Sequence, residues 1–430
     1  MIVKIVGGGL AGCEAAYKLA NSGINVKLYE MRPKVKTEAH ETDRLGELVC
    51  SSSLKSTNID TAHGLLKYEM GKLGSLILEA GQFASVPGGD ALCVDKDKFS
   101  AYITEKIYNH PNIEVITEEV TEMLDGNVIV ATGPLTSKKL TDLLIDKIAC
   151  ENMYFFDAIA PSISADTIDY KKVFKQSRYD KGEAAYYNCP FNKEEYYNFV
   201  NELVNAKRTD LHLEEEKKAV YYEGCLPAEI MASRGIETLS FGMMKGVGLV
   251  DPNTGDRPYA VVQLRQENED ASVFGLVGFQ TQLTISEQKR VFRLIPGLEN
   301  VEFVRFGQVH RNTYLNSPKL LNEYLQLKSN PNYFFAGQLI GVEGYMESAI
   351  TGIVAGINMC NYLNGKPMVD YPRGTMVGSL INHVVTETEN YQPMNSNFGI
   401  LPEIKVRGKK RDRKAAKALI AKNVFDEFFE

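Results

Sequence analysis

The 430-residue sequence has no tryptophan, no CxxC pair, no internal repeat and no low-complexity segment. Nowhere does it reach the ~18 uninterrupted apolar residues of a membrane-spanning helix, and Met1 runs straight into the strand-like Ile2–Val6 rather than into a signal-peptide core. Membrane insertion and secretion are therefore not expected, and a cytoplasmic location is. The seven cysteines are odd in number and irregularly spaced. That pattern argues against a disulfide framework or a zinc ribbon and predicts reduced thiols; no metal site is expected. At 44% apolar residues and two to three domains of roughly 150 residues each, the chain can bury a core without staples.

Basic side chains number 48 against 55 acidic, a net charge of −7 that by itself argues against a nucleic-acid partner. The average conceals a segregation. Residues 403–422 contain nine basic side chains (Lys405, Arg407, Lys409, Lys410, Arg411, Arg413, Lys414, Lys417, Lys422) against Glu403 and Asp412, a local +7, so the remainder carries −14. Such a block either contacts a polyanion, where each neutralised phosphate releases counterions, or forms a solvated helical face, for which KKRDRKAAKALIAKN is equally suited.

The N-terminus carries the sharpest local signal. Residues 3–6 read as a buried strand, Gly7-Gly8-Gly9-Leu10-Ala11-Gly12 forms GxGxxG, residues 13–21 are alanine-rich with helical spacing, and a second strand at 26–29 ends in Glu30. Gly7 permits the tight turn, Gly9 lets the backbone approach a pyrophosphate, and Gly12 lets helix and strand pack closely. A carboxylate at Glu30 accepts from a ribose hydroxyl and repels a 2′-phosphate, so the first cofactor is FAD or NAD, not NADP. Two later segments favour FAD: the strand 127–131 running into Thr132-Gly133, and YFFA (333–336) leading through Gly337-Gln338 and a turn with Gly341 and Gly344 into a helix at 345–360. The nucleotide-binding pieces thus lie at both ends. The expected fold is α/β: an FAD-binding Rossmann-like domain (1–165 and 301–430) split by an inserted α+β domain (166–300), the latter with helices at 193–207 and 227–234 and strands at 259–264 and 272–277. No second GxGxxG is present, so a nicotinamide would bind in another way.

Five cysteines (Cys13, Cys93, Cys150, Cys189, Cys360) read as packing residues. Cys225 precedes Pro227, where a helix would begin and its dipole would favour a thiolate. Cys50 stands in a polar segment, CSSSLKS.

Together, the GGGLAG start, the Cys50 segment, EGCLPAEIMASRG (223–235), GVGLVDP (246–252), HRNTYLNSPKLL (310–321), FFAGQLIGVEGYMES (334–348) and MNSNFGILP (394–402) resemble the folate- and FAD-dependent tRNA (uracil-5-)-methyltransferases, over essentially the whole chain. These are smaller relatives of the tRNA-modifying glucose-inhibited division protein A group. The resemblance implies FAD, methylenetetrahydrofolate and NADH or NADPH as cofactors and RNA as partner. It implies Cys225 as the nucleophile that adds to uracil C6, Cys50 as the thiol that removes the C5 proton, and Tyr345 as an orienting residue beside the flavin. The one-carbon unit passes through flavin N5 in that family. Such chemistry requires a uracil extruded from folded RNA. With it, the basic segment (Lys405, Arg407, Lys409, Lys410, Arg411, Arg413) reads as RNA-facing, with Arg311 as a further phosphate contact. Where the family usually reads CSNSLRS and GPMKPVGL, this chain has Ser52 and Lys55, and Met243 and Gly246. The T-loop uridine of tRNA is the expected target; a uridine of 23S ribosomal RNA and an RNA-free FAD oxidoreductase are the alternatives.

Overall fold

The computed structural model describes residues 1–37, 39–148, 152–209, 226–389, 391–403 and 410–429, without the side chains of 152–157, 310–311 and 410–411. Two six-stranded sheets organise it. The first has the spatial order Gln326–Leu327, Asn330–Phe335, Asn127–Val130, Ile2–Val6, Asn25–Glu30, Ile113–Thr117, all parallel except the short antiparallel strand at the 326–327 edge. Its central strands are short apolar runs because both faces are covered: Val3, Ile5, Leu28, Ile129 and Phe334 are buried. Ile2–Val6 pairs with the following strand on one side and with 127–130 on the other. The chain therefore reverses direction of propagation at this strand, and a crevice opens at its C-terminal end.

The first helix, Leu10–Asn21, and the long helix, Tyr345–Leu363, pack directly on each other. Their contact is built on missing side chains. A Cβ at Gly352 would lie 2.1 Å from the Ala11 carbonyl oxygen, one at Gly12 1.9 Å from the Gly7 oxygen, and one at Gly356 3.1 Å from Lys18 Cβ. These approaches set where both helices begin.

The second sheet is antiparallel, in the order Phe174–Lys175, Tyr186–Phe191, Ala260–Gln266, Val273–Leu276, Ser162–Ser164, Phe303–Arg305. It starts before and ends after residues 166–300, adding one strand on each side of that stretch. The helix Lys193–Asn205, opened by an Asn192/Glu195 capping box, and the short helix Ala228–Ser233 cover it. A two-stranded ribbon, Asn152–Ala158 with Val309–Leu315, joins the sheets. A third, three-stranded sheet (Ser53–Ser56, Ala91–Val94, Ser85–Val86) carries the segment after Cys50.

The C-terminal helix Lys410–Phe429 docks on the helix Ala62–Lys72 through Ala418, Ala421 and Phe425. Lys422, part of the basic block, is used within the fold: it pairs with Asp426 at 2.5 Å and lies 4.8 Å from the Tyr68 ring centre. Among the described residues no helix is long and apolar enough to cross a membrane.

Because Gly352 faces backbone rather than a side chain that can swing away, Gly352→Ala should destabilise by about 2–3 kcal/mol. Gly71→Ala, in the last turn of the 62–72 helix and 3.6 Å from Leu78 Cδ2, should be neutral or stabilising by up to about 1 kcal/mol. Thermal melting of the two variants checks this; equal midpoints would refute the packing argument.

Candidate active site

Four strand ends of the parallel sheet open on one cavity. Gly7, Gly8, Gly9, Leu10 and Ala11 line it after the first strand, Glu30, Met31 and Arg32 after the second, Thr132 and Gly133 after 127–130, and Gly337 and Gln338 after 330–335. The first helix starts at Gly9 with no side-chain cap, which leaves its first N–H groups for an anion. A Cβ at Gly9 would meet no atom within 4 Å; it would project only into the cavity. Gly133, at φ +69°, likewise has open space before it. Glu30 Oε2 accepts from Gly8 N–H at 3.0 Å, while Oε1 accepts from Arg32 N–H and Arg32 Nε, both at 3.0 Å. Burial opposes its ionisation, but the Arg32 guanidinium and these N–H groups hold the carboxyl below its ordinary range. Glu30 Oε2, with a single donor, keeps a lone pair for a hydroxyl. A glycine cradle, a helix terminus and an ionised acid at the switch point are the donor set that a dinucleotide's pyrophosphate and ribose require.

Two of the expected cofactor residues sit elsewhere. Gly12 does not line this cavity; it acts by letting the first helix press on Gly7. Gly344, at φ +117°, lines a second, adjoining cavity. The two cavities share Val49, Pro134, Leu135, Gln338 and Tyr345 and form one continuous cleft.

The second cavity gathers segments far apart in sequence: Cys50, Ser51, Ser53 and Lys55; His63 and Lys67; Arg265 and Gln280; Asn312; Glu343, Gly344, Tyr345 and Glu347; and Asn395. Cys50 is half-buried. Its backbone is held by Tyr345, whose hydroxyl oxygen accepts from Cys50 N–H at 2.8 Å and Ser51 N–H at 3.0 Å. Tyr345 thus orients the thiol loop from the start of the long helix. Lys55 sits at φ +63°, a conformation that costs a non-glycine residue free energy and that clusters at functional sites. Ser52, one of the departures from the family pattern, is fully buried, and its hydroxyl has no partner among the described residues.

Glu347 faces this cavity from the first turn of the long helix, with one carboxylate oxygen 3.4 Å from His63 Nδ1 and 3.0 Å from the donating Ser396 N–H. Only glycine fits at 344, where a Cβ would lie 2.3 Å from the other oxygen. Full burial works against its ionisation, yet His63, Lys55 and the Ser396 N–H hold the carboxyl down at about 2. Burial pushes the neighbouring Lys67 ammonium down to about 8, against the pull of Glu347.

Burial raises the thiols of Cys13, Cys93 and Cys189 and makes them inert, in keeping with packing roles. Cys225 and Cys150 lie outside the described residues, as do Lys405, Arg407 and Lys409. Lys410 and Arg411 open the C-terminal helix and Arg311 lies in the ribbon strand, all three without described side chains; Arg413 is exposed. GVGLVDP contributes to neither cavity. Sequence reasoning missed Arg32, His63, Lys67, Arg265 and Arg305. Their only sequence signal is a charge set among apolar neighbours, which does not say what it faces.

Fold and cleft together define a dinucleotide-binding flavoprotein with a thiol-bearing cavity adjoining the dinucleotide cleft. The family described as Glucose inhibited division protein A matches residues 2–367. Methylenetetrahydrofolate–tRNA-(uracil-5-)-methyltransferase TrmFO of Dictyoglomus thermophilum is 53% identical over 97% of this chain and 95% of that protein, and TrmFO of Aquifex aeolicus is 52% identical over 99% and 95%. A solved structure of Aquifex aeolicus GidA superposes with a TM-score of 0.72 at 19% identity, over 99% of this chain and 73% of that one, a likeness of fold. The chain therefore belongs to the glucose-inhibited division protein A family and, within it, to the TrmFO-type methyltransferases.

Gly9→Ala should leave the melting temperature of the cofactor-free protein unchanged and weaken FAD binding at least tenfold, since its methyl group occupies only cavity space. Flavin fluorescence titration reads the second effect; unaltered affinity would remove Gly9 from the cofactor contact. The depressed Glu347 carboxyl contributes stability that is present above its ordinary value of 4.5 and is lost as pH falls toward about 2, in all roughly 3 kcal/mol. Melting temperatures from pH 6 to pH 3 should fall less steeply in Glu347→Gln than in the unsubstituted protein; parallel curves would contradict the assignment.

Proposed function

We propose that this protein is a flavin- and folate-dependent RNA methyltransferase that forms 5-methyluridine in the T loop of tRNA. The observation that carries this reading is the convergence of the Cys50 segment, Asn312, residues 343–347 and Asn395 on one cavity that opens into the dinucleotide site. The names of relatives about 50% identical over the whole chain support tRNA over ribosomal RNA or an RNA-free oxidation.

Uracil C5 is a poor nucleophile until a thiolate adds at C6. In the proposed reaction Cys225 makes that bond, and the ring electrons let C5 attack an electrophilic one-carbon unit. Cys50 then takes the C5 proton as the leaving group on the one-carbon unit departs, and hydride addition to the resulting C5 methylene expels Cys225 and restores the ring as 5-methyluracil. Ala228 N–H donates to the Gln280 oxygen at 2.7 Å, and Gln280 lines the second cavity, so the chain following Cys225 meets the cavity edge. Tyr345 holds the Cys50 loop in register with the long helix. When bound, the reduced form of FAD would supply the hydride and methylenetetrahydrofolate the carbon, with NADH or NADPH returning the flavin to its reduced state. The glycine turn at 7–9, Glu30 and Gly133 would hold the dinucleotide. Lys405, Arg407, Lys409, Lys410, Arg411, Arg413 and Arg311 are assigned to RNA phosphates, where they fix register without reading sequence. The cytoplasm is the compartment this substrate implies.

The purified protein should convert uridine to 5-methyluridine in a tRNA transcript only when methylenetetrahydrofolate and reduced nicotinamide are both present. Turnover with S-adenosylmethionine alone would overturn the reading. Cys225→Ala should abolish turnover while the yellow flavin remains bound.

A further inference from the structure

Cys50 sits on a cationic platform supplied by the second sheet. Arg305 donates through its two terminal nitrogens to the Val49 and Cys50 carbonyl oxygens, each at 3.3 Å, and Arg265 donates to Ser51 Oγ at 2.8 Å. Both arginines act electrostatically on one buried carboxylate. Glu267 accepts from Ser162 Oγ at 2.6 Å; burial opposes its charge, but Lys96, Arg305 and Arg265 around it keep its carboxyl below the ordinary range. Lys96, at the start of the helix Lys96–Tyr108, also interacts electrostatically with Cys50. The Nε atoms of Arg265 and Arg305 are fully enclosed and have no hydrogen-bond partner among the described residues, so neither guanidinium is fully satisfied by the protein around it.

Among the described residues, the charged groups around Cys50 come from two pockets. From the second sheet Arg265 lines the cavity of Cys50, while Glu267 and Arg305 of that sheet and Lys96 of the 96–108 helix line a different pocket with Glu41, Glu47, Asp95 and Asp97. The three-stranded sheet adds Lys55 and the buried Cys93, and the 62–72 helix adds His63 and Lys67. Glu343, the Tyr345 hydroxyl and Glu347 come from the long helix and its preceding turn. In the cavity that holds Cys50, Lys55, Lys67 and Arg265 thus face Glu343 and Glu347, and Glu347 is already paired with His63. An anion at Cys50 would improve this balance.

We propose that Arg265, Arg305 and Lys96, set on Glu267, hold the Cys50 thiol as a thiolate at neutral pH, which makes the two arginines positioning residues for proton removal at uracil C5. The inference rests on the reading of Cys50 as the proton acceptor. A thiol is an effective base only when it is ionised before substrate arrives, and an isolated cysteine at about 8.5 is mostly protonated at pH 7. Nearby guanidinium and ammonium groups lower that value by one to several units. The arrangement also ties thiol acidity to docking of the second sheet, since Arg265 and Arg305 belong to it while Cys50 does not.

The test is the pH dependence of iodoacetamide alkylation at Cys50, followed from pH 5 to 9.5 by mass spectrometry of the Cys50 peptide in the flavin-bound protein without RNA. The midpoint should lie at least about one pH unit below 8.5. Arg305→Gln and Arg265→Gln should each raise it by about half a unit or more, and Arg305→Lys should keep it low. Glu267→Gln, which removes the platform's carboxylate, should lower it further or leave it in place. General damage to the loop would move every variant upward. A midpoint at or above 8.5 in the unsubstituted protein would overturn the proposal, as would a rise in Glu267→Gln matching that of Arg305→Gln. The unsubstituted midpoint decides even where a variant fails to fold. Because no RNA or folate enters the measurement, its outcome is separate from whether uridine is methylated.

Discussion

The close approach of two helices on a line of glycines is the constraint from which the rest of the site follows. Gly12 lets the first helix press on the turn at Gly7, and Gly352 lets the long helix press on Ala11. Backbone lies where side chains would ordinarily be, so the two helix starts, Gly9 and Gly344, face adjoining parts of one cleft. Tyr345 is the first residue of the long helix, and its hydroxyl holds the loop that carries Cys50. A thiol some three hundred residues away in sequence is thus placed by contacts that depend on the absence of a methyl group.

The second organising feature is charge buried in company. Arg32 bridges Glu30 and Glu47 at 3.0 Å each, Glu347 is paired with His63, and Glu267 is ringed by Lys96, Arg265 and Arg305. Isolated, the carboxyls of Glu30, Glu347 and Glu267 would take up a proton rather than stay charged in a low-dielectric interior. Grouped, they remain ionised and fix the side chains around the cleft. Such groups add little net stability relative to apolar packing, because desolvation opposes the Coulomb gain. Their effect is to preset the field in which ligand and thiol sit, which is where electrostatics contribute most to a reaction.

Much of the scaffold was legible in the sequence. The strands read at 3–6, 26–29 and 127–131 are found at Ile2–Val6, Asn25–Glu30 and Asn127–Val130, and the helix read at 345–360 runs from Tyr345 to Leu363. These are short apolar runs and long periodic stretches, in which local pattern and tertiary role agree. The glycine fingerprint was legible because its spacing follows the local turn: Gly12 packs on the Gly7 oxygen five residues back, and Gly9 is left open to the cavity. The second sheet was read less completely. Ser162–Ser164 and Phe303–Arg305 are three-residue strands whose existence depends on pairing with each other and with Val273–Leu276, and no local pattern marks so short a segment.

By itself the sequence determined that a glycine turn would open the first helix at the N-terminus, that an acid, Glu30, would end the second strand, and that two cysteines stood apart from the packing thiols. Tertiary structure alone decided what surrounds Cys50. Arg265 reaches the neighbouring Ser51 across 214 residues of chain, and Arg305 and Tyr345 reach Cys50 across 255 and 295. An isolated arginine in a strand carries no local periodicity to say which loop its guanidinium will meet. That is set only when sheet and helix dock and each buried charge must find a partner.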